Sequence, residues 1–291
     1  MAILIGPETR VMCQGMTGRA GTYHVARMMA YGTKVVCGVT PGKGRSTHLD
    51  VPVFDTVAEA AVKTGANASL VFVPPEHAAS AMIEAIEANI PLVVCVTERV
   101  PVLDMVRVRQ ALAGSRTRLV GANSQGVLAP GVAQLGVMTT VNARRGGIGI
   151  ASRSASLTSE VVAQTTEAGL GQSTTVGVGG DPVHGLSLAD CVQLFLNDRE
   201  TEGVILIGEI GGSEEEEAAE LISRLKPKKP VVALVAGRSA PLERRMGHAG
   251  ALFEPGRGDA EHKIEALRNA GVTIAPRADR VGETMRRALG G

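Results

Sequence analysis

One histidine of this chain has surroundings suited to chemistry. His248 lies in Arg244-Arg245-Met246-Gly247-His248-Ala249-Gly250-Ala251, after the apolar run Val231 to Val235. Small neighbours on both sides leave the imidazole accessible, and the two arginines upstream could attract an anion. A neutral imidazole can accept a phosphoryl group or act as a general base; a purely structural loop is the other reading. No further His or carboxylate stands at ligand spacing beside it, which argues against a metal site. Two segments could serve it. Ser152-Arg153-Ser154-Ala155-Ser156-Leu157 runs from a strand into a helix, so its amides and hydroxyls can hold a phosphate or simply cap the helix. Glu209, in Ile207-Gly208-Glu209-Ile210-Gly211-Gly212, falls at a strand's C-terminal end. Sites in open α/β sheets form there. Its carboxylate could fix the tautomer that leaves the far ring nitrogen free, or act as a turn cap. Of the other histidines, His48, His77 and His262 read as solvent-facing, and His24 and His184 as core or surface.

A second candidate is Gly15-Met16-Thr17-Gly18-Arg19-Ala20-Gly21, which follows the first strand and opens a helix. Three glycines let the backbone turn sharply and bring N–H groups to a phosphate at the helix N-terminus, although glycine turns also serve packing alone. The spacing is GxxGxxG rather than GxGxxG. The second strand ends Cys37-Gly38-Val39-Thr40, with no acid to grip a ribose 2′-hydroxyl. Pro41-Gly42-Lys43-Gly44 follows and supplies a cation, unless Lys43 is a solvated loop charge. A phosphate-rich ligand without a free 2′,3′-diol, such as coenzyme A with its 3′-phosphate, fits better than NAD.

These residues need a frame, and the chain predicts one. Short β-branched runs at Val11-Met12-Cys13, Lys34 to Val39, Ser69 to Val73, Leu92 to Val96 and Leu119-Val120 alternate with helix-length segments at 21–31, 56–63, 76–88 and 101–113. Gly32 is placed to stop the first helix. A second series has strands at Ile148 to Ala151, Ser173 to Val178, Val204 to Ile207, Val231 to Val235 and Val272 to Ile274, with helices near 156–168, 187–197, 214–225, 259–270 and 279–289. Continuous apolar strands alternating with helices mean parallel sheets covered on both faces. The fold class is therefore α/β with two domains, 1–123 and 148–291, joined through 124–147, where no period is visible. Glu214 to Glu217 reads as a solvated helix start that complements the dipole.

Composition narrows the function. Thirty Lys plus Arg balance 29 Asp plus Glu, for a net charge of +1. Neither nucleic acid nor a membrane surface is expected as a partner. Six aromatic residues, none of them Trp, argue against a stacking platform for single strands. Cys13, Cys37, Cys95 and Cys191 are far apart, with no CxxC pair, and read as buried free thiols. With no basic leader and no run long enough to span a bilayer, a cytoplasmic location is expected.

The motifs in this order resemble the α subunit of succinyl-CoA synthetase and related acid–CoA ligases, over essentially the full chain. The resemblance rests on Cys13-Gln14-Gly15, Thr17-Gly18, Gly38 to Gly44, Pro52-Val53-Phe54, Gly179-Gly180-Asp181-Pro182, Ile207 to Gly212 and Arg245 to Ala251. It implies an N-terminal Rossmann-like CoA-binding domain and a flavodoxin-like ligase domain with a phosphohistidine loop. It also implies an ATP-grasp β subunit, in a heterodimer or heterotetramer, that binds ATP or GTP with Mg²⁺. By the family's mechanism, acyl-CoA and phosphate give an acyl phosphate and free CoA, and the phosphoryl group passes through His248 to a nucleoside diphosphate. Carried over, Thr17, Gly18, Arg19 and Ala20 would cradle CoA phosphate with Lys43 nearby, and Val96, Thr97 and Glu98 would line the rest of that cleft. Glu209 would orient His248, and Ser154 with Ala155 would form part of its phosphate cradle.

Departures from the succinate pattern gather around the expected pocket for acid and phosphate. Ser159 stands for Tyr, Ala122-Asn123-Ser124 for Pro-Asn-Cys, Ser154-Ala155-Ser156 for Ser-Gly-Thr, and Thr139 to Asn142 for Pro-Gly-His-Ile. Another, bulkier carboxylic acid, as in the malate and citrate relatives, is one reading; drift within a succinate enzyme is the other. A non-catalytic CoA-binding protein and an NAD-dependent dehydrogenase are more distant rivals.

Overall fold

The computed structural model describes residues 2–240, 247, 248, 251 and 258–291. Two seven-stranded sheets organise the described residues. The first runs in the order β3 (Thr47–His48), β4 (Val51–Phe54), β2 (Val35–Val39), β1 (Val11–Gln14), β5 (Ala68–Val71), β6 (Leu92–Cys95) and β7 (Arg118–Val120). All neighbours are parallel except β3 and β4. Strands β1, β5 and β6 are buried at every position, which is why they read as unbroken apolar runs.

Helices α1 (Arg19–Tyr31), α2 (Val57–Thr64), α3 (Pro75–Glu87) and α4 (Val102–Leu112) cover this sheet. Gly32 ends α1 as expected: at φ 101° its N–H donates to the carbonyls of Met28 and Met29. Thr56 caps α2, and prolines precede or open α3 and α4.

The second sheet runs β14 (Thr273–Ile274), β13 (Val231–Ala236), β12 (Gly203–Glu209), β10 (Arg145–Ser152), β11 (Gln172–Gly177), β8 (Gly126–Ala129) and β9 (Ala133–Gly136). Strands β10 to β14 are parallel, and β8 and β9 add an antiparallel edge. Helices α5 (Ala155–Glu167), α6 (Leu188–Asn197), α7 (Glu214–Leu225), α8 (Ala260–Asn269) and α9 (Val281–Ala288) flank it. Among the parallel strands of each sheet the chain starts centrally, moves to one side and then crosses to the other. The reversal falls between β1 and β5 in the first and between β10 and β12 in the second. A crevice opens at the C-terminal ends of strands at such a point, and those ends carry Gly15, Ser152 and Glu209.

Three features differ from the sequence reading. The stretch 124–147 holds β8 and β9. Gly126 (φ 103°) and Gly136 (φ 129°) face each other so closely that a Cβ on either would fall 2.8 Å from the other's Cα. The glycines that allow this contact also hide the strand period. The β3–β4 hairpin is likewise too short to show one. The acidic helix start is not solvated as a whole: Glu215 is 2% exposed and paired with Lys263, itself 0% exposed.

All four cysteines are free and buried. Burial pushes the Cys95 thiol up to about 12, which leaves it unreactive. The described residues contain no helix long and apolar enough to cross a membrane.

The two sheets are stitched to each other. Ile3 N–H donates to Thr174 Oγ1 (3.1 Å), and the Thr33 hydroxyl both donates to and accepts from the Gln134 backbone. From the other direction, Gly185 and Leu186 N–H donate to the carbonyls of Gly121 and Leu119.

Candidate active site

A cavity of 800 Å³ opens at the end of β1, lined in part by Gly15, Thr17, Gly18, Arg19, Ala20 and Phe72. Gly15 turns at φ 82°, and a Cβ there would fall 3.0 Å from the Phe72 backbone. A Cβ on Gly21 would strike the Gly15 carbonyl oxygen and sit 2.9 Å from Met16 Cα. These glycines let α1 begin directly against the loop. No side chain caps α1 at Gly18 and no acid stands in its first turn, so its N–H groups and positive end are free for an anion. Asp55 accepts from Gly42 N–H (2.7 Å) and Gly44 N–H (2.9 Å), which shapes the loop carrying Lys43. Lys43 Nζ donates to Thr17 Oγ1 at 3.2 Å, so the cation lies at the rim of the glycine loop.

The second crevice holds His248. Its Nδ1 is 2.9 Å from both carboxylate oxygens of Glu209, at the end of β12. In the neutral ring this contact places the proton on Nδ1 and leaves Nε2 its lone pair. The ring rests on Gly180, where a Cβ would overlap Cγ and Cδ2 and come 2.6 Å from Nδ1. Only glycine leaves that room. A small cavity of 130 Å³ adjoins the ring, with Glu98, Asn123, Arg153, Ala155 and Gly179 among its walls. Helix α5 starts at this cavity with no acid in its first turn. Ser154 is its N-cap, accepting from Leu157 N–H at 3.4 Å.

Charge is concentrated behind the histidine. Arg153 Nη2 lies 3.2 Å from Glu209 Oε1, and Nη1 lies 3.4 Å from Glu215 Oε1. The hydrogen bond that His248 donates to Glu209 raises the His248 pKa; burial opposes it, the charges of Glu209 and Asp181 add to it, and Arg153 subtracts. Burial works against the charge on Arg153, but Glu215, Glu209 and Glu214 outweigh it, so the guanidinium is held even more firmly than usual. Burial also works against Glu214, yet His184 and Arg153 keep its carboxyl below the usual range.

Of the residues singled out from sequence, Thr17, Gly18, Arg19, Ala20 and Lys43 gather at the first crevice, and His248, Glu209, Asn123 and Ala155 at the second, with Ser154 at the cap beside it. The segment Val96-Thr97-Glu98 lies between. Val96 and Glu98 line the small cavity beside His248, whereas Thr97 donates to the carbonyl of Val73, a wall of the large one. Ser159 stands one turn along α5, its Oγ turned to the Ala155 carbonyl, outside the lining of either cavity. Arg244, Arg245, Met246, Ala249 and Gly250 of the histidine motif lie outside the described residues. His184 is 8% exposed and paired with Glu214.

Sequence reasoning passed over Asp181, which accepts from Asn123 Nδ2 at 2.8 Å through Oδ1. Its Oδ2 is buried with no partner among the described residues. The signal was the Gly-Gly-Asp-Pro run, whose second glycine seats the ring. Among the described residues no cluster of His, Cys, Asp and Glu could hold a metal ion.

Comparison with known proteins gives a consistent picture. A family model described as a CoA binding domain matches residues 7–99, and one described as CoA-ligase matches 151–273. The α subunit of ADP-forming succinate–CoA ligase from Aquifex aeolicus is 50% identical over 291 residues, 99% of this chain and 95% of that protein. The protein of the same name from Staphylococcus aureus is 47% identical over 285 residues, covering 98% and 94%. Among solved structures, ATP citrate lyase from Methanothrix soehngenii, in complex with citrate and coenzyme A, superposes with a TM-score of 0.88 at 22% identity. It covers 99% of this chain, which spans 50% of that one. A dinucleotide-forming acetyl-coenzyme A synthetase from Ca. Korarchaeum cryptofilum gives 0.77 at 17% identity, covering 97% and 61%. At those identities the likeness is one of fold.

Proposed function

This chain belongs to the family of succinate–CoA ligase α subunits, and we propose that with a β subunit it forms an ADP-forming acid–CoA ligase in which His248 carries the phosphoryl group. The observation that carries the reading is the His248–Glu209 pair, Nδ1 held by both carboxylate oxygens at 2.9 Å. Succinate, the acid in the relatives' names, is the substrate we assign. The nucleotide and Mg²⁺ belong to the partner, an ATP-grasp chain.

The Nε2 lone pair attacks the phosphorus of an acyl phosphate, the phosphorus–oxygen bond to the acyl group breaks, and its electron pair leaves with the carboxylate. The Nδ1 proton stays on the ring, hydrogen-bonded to Glu209, which stabilises the positive charge the ring gains. The α5 N-terminus, free of acids, provides N–H groups to the phosphoryl oxygens. Return transfer to ADP reverses these roles. The glycine loop fits a CoA phosphate: its N–H groups are uncapped, its turns exclude a Cβ, and Lys43 stands at its rim. The strip 96–98 lies between that loop and His248, along the route a thiol arm would take.

The test is to co-express the chain with its β subunit, incubate the complex with Mg²⁺ and ATP, and locate phosphate by mass spectrometry. Acid-labile phosphate on His248 that discharges on adding CoA and succinate is expected. A complex that turns over substrate with no phosphate on His248 would overturn the reading.

A further inference from the structure

The carboxylate that orients His248 is itself held by a buried ionic chain running back to α8. Lys263 Nζ lies 2.6 Å from Glu215 Oε2 and 2.7 Å from Glu216 Oε2, and donates to the Gly212 carbonyl at 2.8 Å. Glu215 Oε1 accepts from Glu209 N–H at 2.9 Å and faces Arg153 Nη1. Arg153, with a side chain 3% exposed, spans from Glu215 to the Glu209 carboxylate and also donates to the Gly211 carbonyl. The Glu215 side chain occupies the place a Cβ on Gly208 would take, so strand and chain are fitted to each other.

A buried carboxylate facing an imidazole favours imidazolium, which has no Nε2 lone pair and cannot take a phosphoryl group. The charged groups that face the ring among the described residues are Glu209 from β12, Asp181 after β11, Glu98 after β6, and Arg153 at the end of β10. Three of the four are acidic. Arg153 is the one cation among them, and it touches Glu209 Oε1, one of the two oxygens that Nδ1 contacts.

We propose that Arg153 is a positioning residue for the phosphoryl carrier: it fixes the Glu209 carboxylate against Nδ1 and offsets part of its charge, which favours the ring form with a free Nε2 lone pair. This rests on the reading of His248 as phosphoryl acceptor. A merely structural Arg153 would tie α7 to β10, and its loss would weaken the fold and every activity together.

The experiment uses the complex with the β subunit and the variants Arg153→Met, Arg153→Lys and His248→Asn. Phosphate uptake from Mg²⁺ and ATP is followed by rapid quench over about pH 6 to 9, and the His248 ring is titrated by NMR with labelled histidine. Losing a cation at this distance should move the Arg153→Met midpoint up by about one pH unit in both readouts, a roughly tenfold slower uptake at pH below both midpoints that recovers in alkali. Arg153→Lys should restore most of the midpoint, and CoA binding should stay as in the wild type. Glu215→Gln, which frees Arg153 for Glu209, should shift the midpoint the other way. An unmoved midpoint in Arg153→Met, or uptake lost equally at every pH in step with CoA binding, overturns the proposal. If Arg153→Met does not fold, the Arg153→Lys and Glu215→Gln midpoints decide, and two unmoved midpoints overturn it. Phosphate on the His248→Asn protein would overturn the carrier reading instead, and the ring titration would still judge Arg153.

Discussion

The crevice at the end of β1 and the crevice at the end of β12 occupy equivalent places in two doubly wound sheets, yet they are made of different materials. The first is made of backbone: glycine turns, uncapped N–H groups and one lysine at the rim. The second is made of side-chain charge, with Arg153, Glu209, Glu215 and Lys263 packed behind an imidazole. The helix starts repeat the contrast. Helices α1 and α5 have no acid in the first turn, whereas α7 has four. An N-terminus that faces an anion must keep its own positive end unquenched, while one that braces an ionic chain can be filled with carboxylates. Binding a preformed phosphate needs only donors, but moving a phosphoryl group needs a nucleophile whose proton is under control.

That comparison can be broken by substitutions confined to one crevice. The largest effect should come from His248→Asn, which removes the lone pair. Phosphate uptake and turnover should vanish with CoA affinity unchanged, checked by mass spectrometry and calorimetry. Next comes Gly180→Ala. The new methyl group displaces the ring, and a misplacement of about 1 Å is worth roughly a hundredfold in rate, again with CoA binding retained.

The reciprocal test is Gly21→Ala. Its Cβ meets backbone rather than a movable side chain, so the loop must shift. Overpacking of this kind costs about 1–3 kcal/mol, and CoA affinity should fall by about tenfold or more while His248 still accepts phosphate from ATP.

A pH series sharpens the contrast without mutation. The raised His248 pKa keeps the ring protonated to higher pH than an ordinary imidazole. Phosphorylation should therefore fall as pH drops through that value and level off above it, while CoA binding stays flat over about pH 6 to 8. The smallest effect is expected from Lys43→Ala. An exposed cation at a phosphate should be worth roughly three- to tenfold in CoA affinity, and the difference should shrink at high salt.

What was readable beforehand follows the same division. Buried parallel strands are apolar on both faces, so β1, β5, β6, β12 and β13 stood out in sequence, as did the glycine loop and the α1 stop at Gly32. His248 and Glu209 were legible because small neighbours and a strand end marked them. Arg153 was read only as part of a serine-rich helix start, and Glu215 as a solvated charge. Along the chain Arg153 is 56 residues from Glu209 and 62 from Glu215, and Glu215 is 48 from Lys263, and burial of a charge is a property of the fold around it. Strands β8 and β9 escaped because two facing glycines remove the side chains that would have shown a period.

The stitching between the sheets has a consequence for recombination between relatives. Ile3, from the start of the chain, is bonded within the second sheet, and Gly185 and Leu186 return to bond with the end of the first. Thr33 reaches Gln134 across the same boundary. A chimera spliced between residues 121 and 134, at the boundary of the two sheets, would divide every one of these bonds between its two parents. Exchanging the second domain of this chain for that of a relative therefore involves its partners in the first as well: Ile3, Thr33 and the strand end at 119–121.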